Sequence, residues 1–163
     1  MKTFVHLTFA AAASAVMLAT PVTAGQDDGI VVTSPAAMTE WKADMNAQLD
    51  RQMIRSDGYR NQAVLSAIVQ IRFTLDEAGK PTNLQTLHHS GSRRAARVAK
   101  MAVRNLRRFD RAPVTGASGA TYQANLVFAR NPGEGETLKA ELADLERARL
   151  AAGDGADVIM LGG

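Results

Sequence analysis

The sequence predicts an α+β fold: a small antiparallel three-stranded sheet with helices packed on one face, followed by a charged C-terminal helix. Three observations predict it. Val69, Ile71, Phe73 and Leu75 alternate with Gln70, Arg72 and Thr74, as a strand with one buried and one wet face requires. Asp76-Glu77-Ala78-Gly79 is a turn sequence whose glycine can take a positive φ, so the chain should fold back into a second strand. Residues 93–109 separate cations from apolar residues on opposite sides of a helical wheel.

The elements follow in order. Met1 and Lys2 give a short positive start, Phe4 to Leu18 is apolar, and Thr20, Val22 and Ala24 are small residues before Gly25. This is the build of a secretory signal peptide over residues 1–24, cleaved after Ala24. The alternative is an uncleaved inner-membrane anchor, because residues 3–26 carry no charge and just suffice to span a bilayer. Residues 25–37 read as a flexible lead, within which Ser34-Pro35 forms an N-cap with proline at the first helical position. Met38, Trp41, Met45, Leu49 and Met53 recur at spacings of three or four and predict a helix over 36–54.

The first strand runs from Val64 to Leu75, and the second starts at Pro81, where a missing N–H is tolerated, and ends near His89. Ser92 is the expected N-cap of a helix reaching Arg108. A loop with Pro113, Gly116 and Gly119 leads into a third strand over Thr121–Ala129. Asn131-Pro132-Gly133 should break the chain and close a domain over 38–131. The rest, 132–163, reads as an acidic helical tail: a helix over 136–151 with Leu138, Leu142 and Leu145 on one side, then a loose glycine-rich end from Gly153.

Charge is unevenly placed. Residues 60–130 hold twelve basic and three acidic side chains, whereas 131–163 hold three basic and seven acidic. Arg93, Arg97, Lys100, Arg104 and Arg107 fall within a stripe about 80° wide, opposite Ala95, Val98, Ala99, Ala102, Leu106 and Phe109. The basic stripe is therefore a solvent face. The opposite net charges suggest that the acidic tail folds over it. Nucleic acid is disfavoured as a partner, since no aromatic lies among the cations for base stacking and only Asn105 is placed to read a base.

The chain contains no cysteine, which excludes disulfides and thiol chemistry. His88 and His89 are adjacent, so on a strand they leave opposite faces and cannot share a metal. Asp76 and Glu77 belong to a turn, and Thr115-Gly116-Ala117-Ser118-Gly119 lacks the lysine of a phosphate loop. No catalytic set, cofactor site or metal site is expected, and the chain reads as a non-enzyme. Trp41 and Tyr122 are expected in the core.

Val69–Leu84 (VQIRFTLDEAGKPTNL), the later HHSGS and AVRNLRRFDRAP, and the final YQANLVFA resemble, in order and spacing, the TonB C-terminal domain family. Trp41, Leu49 and Tyr59 lie where related proteins carry a helix and a Tyr-Pro pair, although Arg60 follows Tyr59 here and Phe109 stands where tryptophan is usual. The resemblance covers about residues 40–130. It implies a periplasmic module of the Gram-negative envelope that binds an extended peptide of an outer-membrane transporter or other envelope protein, in energy-coupled transport. The implied mode is strand addition to a free sheet edge. By position, that edge is Thr121, Tyr122, Gln123, Ala124, Asn125, Leu126, Val127 and Phe128. The alternative is an exported structural or regulatory envelope protein whose basic helix face meets anionic lipids or acidic partners.

Overall fold

The computed structural model describes residues 31–32, 34–55, 66–154 and 157–163. The expected signal peptide, most of the lead, and Tyr59 with Arg60 lie outside the described residues. In chain order the elements are β1 (Val31–Val32), α1 (Pro35–Arg55), β2 (Ala67–Leu75), β3 (Pro81–His89), α2 (Arg93–Arg104), β4 (Val114–Thr115), β5 (Thr121–Phe128), α3 (Pro132–Ala151) and β6 (Val158–Gly162). The fold is α+β.

Local chemistry starts and stops these elements much as expected. Ser34 Oγ accepts from Ala37 N–H at 3.3 Å, capping α1. Asp76 Oδ1 accepts from the N–H groups of Ala78 and Lys80, at 3.0 and 2.8 Å, and Gly79 turns the chain at φ +69°. Ser92 Oγ caps α2 by accepting from Arg94 N–H at 3.2 Å. The helix stops at Arg104, short of the expected Arg108. Arg108 takes a left-handed conformation at φ 71°, and a 3-10 turn over Phe109–Arg111 drives the Phe109 ring into the core.

The sheet corrects the expected architecture. It has four strands in the order β3-β2-β5-β6, and it is mixed, since β6 runs parallel to β5 while the other pairs are antiparallel. The C-terminal end, expected to be loose, supplies the fourth strand. Val158-Ile159-Met160-Leu161 is apolar on both faces, as a parallel strand buried between layers must be. A separate two-stranded ladder joins β1 to β4.

Helices also cover both faces, not one. On the first face α1 and α2 pack against each other, with α2 over β3 and β2 and α1 against β6. Here Phe73, Phe109, Tyr122 and Trp41 gather; Phe73 and Tyr122 stack at 5.4 Å, and Phe109 meets Tyr122 edge-on at 5.1 Å. Trp41 and Tyr122 are both buried in this core, as expected. Ala95, Ala99 and Ala102 bring α2 close to the sheet, and Val103, which the wheel did not place with them, is buried alongside.

On the second face lies α3. Asn131-Pro132, expected to break the chain, instead starts this helix. Asn131 Oδ1 accepts from Glu134 N–H at 2.9 Å, and Pro132 occupies the first turn. The helix therefore does not fold over the basic face of α2. Its contacts are with β5 and β2.

Candidate functional site

The expected binding strand is β5, and the structure puts it inside the sheet. On one side β2 pairs with Tyr122–Phe128; on the other, β6 pairs with Thr121–Asn125. Of the eight residues expected to line a free edge, Tyr122, Gln123, Ala124 and Asn125 lie between two strands, Thr121 pairs with β6 alone, and only Leu126, Val127 and Phe128 extend past β6. The physical reason is that the C-terminal residues form a strand of their own and satisfy that backbone edge.

The side chains of β5 have structural employment as well. Tyr122 is fully buried, its hydroxyl donates to Ala117 O at 2.9 Å, and burial pushes its pKa up to about 12. Gln123 and Asn125 point to the second face and meet Glu146 of α3. Glu146 Oε1 accepts from Gln70 Nε2 at 2.5 Å, Gln123 Nε2 at 2.6 Å and Asn125 Nδ2 at 3.4 Å. Its other oxygen accepts from Arg149 Nε at 2.9 Å, and Arg149 also donates to the Asp154 carbonyl. Arg72 pairs with Asp154 at 3.0 Å. This polar layer fastens α3 and the approach to β6 onto the sheet. A groove of about 350 Å³ lies where β6 stops, between Asn46, Leu49, Asp50 and Met53 of α1, the Asn125–Val127 stretch, Lys139 and Gly162–Gly163.

Among the described residues the sheet ends on β6, five residues long, and on the longer β3. This strand has one neighbour, β2, and no strand pairs with its outer side among the described residues. It is nine residues long, PTNLQTLHH, with no Lys, Arg, Asp or Glu to repel a visiting chain. Two register shifts against β2, around Leu87 and around Asn83, bend it locally. Asn83 takes φ 52° and donates from Nδ2 to Thr74 Oγ1 at 3.0 Å. His88 pairs with Gln70 and His89 with Val69, so the two rings leave opposite faces.

Beside this edge runs the basic helix. Ser90-Gly91-Ser92 reverses the chain, so α2 returns over β3. Arg93, Arg97, Arg104 and Arg107 are exposed and Lys100 is half-buried. Among the described residues none of the five forms an ion pair; the ion pairs there use other cations. Arg107 spends one N–H on the Arg104 carbonyl, at 3.2 Å, and one on the Leu106 carbonyl, at 2.8 Å. A cleft of about 360 Å³ lies between the two elements, lined by Thr86, Leu87, His88 and His89 of β3 and by Arg93 and Ala96 of α2.

The basic stripe was legible as a solvent face from its spacing. The β3 edge was not, because strand order is a tertiary property; the usable signal was an uncharged strand beside a strongly charged helix. Set against models of known families, characterised proteins and solved structures, the chain matches none of them.

Proposed function

We propose that this chain is a binding module of the bacterial cell envelope that captures an extended peptide of an envelope protein by strand addition along the outer edge of β3. One observation carries the reading: a nine-residue strand at the end of the sheet, paired on one side and free of formal charge. Its outward N–H and C=O groups are a template for main-chain hydrogen bonds, which provide affinity without fixing the visitor's side chains. The two bends restrict the match to short runs and disfavour indiscriminate sheet growth.

The signal-like N-terminus supports export to the periplasm, and the resemblance of Val69–Leu84 and Ala102–Pro113 to TonB C-terminal sequences supports an envelope partner. The surface differs from the one the resemblance implied, because β6 covers most of the second edge of β5. A second reading, contact of the α2 basic face with anionic lipid, is favoured by the five cations that form no ion pair among the described residues.

The test is a fluorescence-anisotropy titration with a short synthetic β-branched peptide and the same peptide N-methylated at alternate amides. Strand addition predicts that methylation on the hydrogen-bonding side weakens binding by about tenfold or more, since each lost main-chain bond removes about 1 kcal/mol. Equal affinity for the two peptides contradicts it.

A further inference from the structure

The geometry points to an acidic partner: an extended segment with Asp or Glu at alternate positions, lying on the β3 edge with its carboxylates toward Arg93, Lys100 and Arg104 of α2. This rests on the strand-addition reading and adds the chemistry of what is captured.

The argument starts from the cleft. Its strand wall is the end of β3 and its helix wall is Arg93 and Ala96. Positions three and four apart share one side of a helix, so that wall continues as Lys100 and Arg104. Arg93 thus lines the cleft itself, and Lys100, half-buried and four residues after Ala96, is the next cation on the cleft side of the stripe. Lys100 and Arg104 are separated by about 6 Å of helix rise, and same-face side chains of an added strand recur about every 6.7 Å. A carboxylate at every second residue stays in step with the cations over a short run.

Among the described residues these charges have no acidic partner. The first turn of α2 holds Arg93 and Arg94 and no acidic residue, although the positive end of the helix dipole lies there. The acidic helix α3, whose charge would complement the stripe, is held on the opposite face of the sheet by Glu146. An anionic visitor would relieve this repulsion, whereas a neutral one would not. Because exposed charge pairs are screened, the preference should weaken with salt.

The experiment uses the full chain and three capped peptides: alternating Glu-Thr, alternating Gln-Thr, and one with the Glu-Thr composition but all its glutamates at one end. The inference predicts that alternating Glu-Thr binds about tenfold or more tightly than Gln-Thr at low salt, with the blocked peptide near Gln-Thr. In the doubly substituted Arg93→Glu, Lys100→Glu chain the order of the two alternating peptides should reverse, while Gln-Thr affinity stays within about twofold. Arg97→Glu, about 100° round the helix from Ala96 where Lys100 is about 40° from it, should shift the preference less. Both variants must first show the parent's circular dichroism and melting.

Equal binding of Glu-Thr and Gln-Thr overturns the acidic preference and leaves strand addition standing. Equal binding of the blocked and alternating acidic peptides overturns the positional match in favour of general attraction to anions. If neither alternating peptide binds but phosphatidylglycerol vesicles do, both readings fail and the basic face is a lipid contact.

Discussion

Gly162 donates its backbone N–H to Asn46 Oδ1 at 2.8 Å, tying the end of β6 to α1. The same glycine sits at φ +76° with its Cα against the Asn125 carbonyl, so an added Cβ would collide with that backbone oxygen. Gly162→Ala is therefore expected to lift the end of β6 from β5, at a cost of about 1–3 kcal/mol. Asn46→Ala, which removes only the hydrogen-bond acceptor, should cost about 1 kcal/mol. Urea unfolding gives both values, and a Gly162→Ala chain as stable as the parent would contradict the placement of β6.

Glu146 is the acceptor around which the second face is organised. Glu146→Ala leaves the Gln70 and Gln123 amides without that acceptor and Arg149 without its anion. Both amides keep a bond to Asn125 Oδ1, so the cost is that of the lost bonds to a charged acceptor, about 1.5–3 kcal/mol each, and it should exceed that of Glu146→Gln, which keeps one acceptor oxygen. Chemical denaturation of the two variants ranks them; the reverse order would mean that α3 is held by its apolar contacts instead.

Stability should decline at acid pH through the start of α3. Hydrogen bonds from the Arg130 guanidinium and backbone N–H hold the Glu134 carboxyl down from its ordinary 4.5 to about 2. As pH falls, the unfolded chain takes up this proton first. The contribution is complete above about pH 4.5 and is lost on the way to about pH 2. Asp154, lowered by its hydrogen bond from Arg72, acts in the same direction. The melting-temperature gap between the parent and Glu134→Gln should narrow from pH 5 to pH 2.5, and a gap independent of pH would refute the assignment.

At alkaline pH the relevant group is Tyr122, raised from 10.0 to about 12 by burial. The unfolded chain loses this proton first, so the stability it contributes is whole below pH 10 and declines between about 10 and 12. Tyr122→Phe removes the hydroxyl bond to Ala117 and should cost about 1 kcal/mol at neutral pH. That variant should lose less stability between pH 9 and pH 11.5 than the parent does. An absorbance titration of the folded parent showing every tyrosine ionising near 10 would contradict the burial.

Much of the fold was legible because its signals are local. Strict alternation marked Val69–Leu75, an Asp-to-Gly turn marked the hairpin, and the wheel of Arg93–Arg104 marked both its core side and its solvent side. What was missed depends on distant partners. Val158–Gly162 reads locally as a short apolar run among glycines, and only its position between α1 and β5 makes it a strand. The leucines of α3 suggested an apolar face, yet only Leu142 is buried, because Gln70, Gln123 and Asn125 offer that helix a polar surface. Adding β6 at one end of the sheet made most of β5 internal, and β3, an end strand in either arrangement, is the longer of the two edges that remain. The basic stripe kept its meaning, since an arginine's exposure on a helix follows from its own spacing.

Amide hydrogen exchange, followed residue by residue with and without the alternating Glu-Thr peptide, tests the central claim most directly. Capture on the β3 edge predicts that the outward-facing amides between Thr82 and His89 exchange fast in the free chain and slow on peptide binding, with Thr121–Asn125 and Val158–Gly162 unchanged. If β3 stays fast while Val158–Gly162 loses protection, the peptide has taken the place of β6 on β5, and the account is wrong about which edge binds.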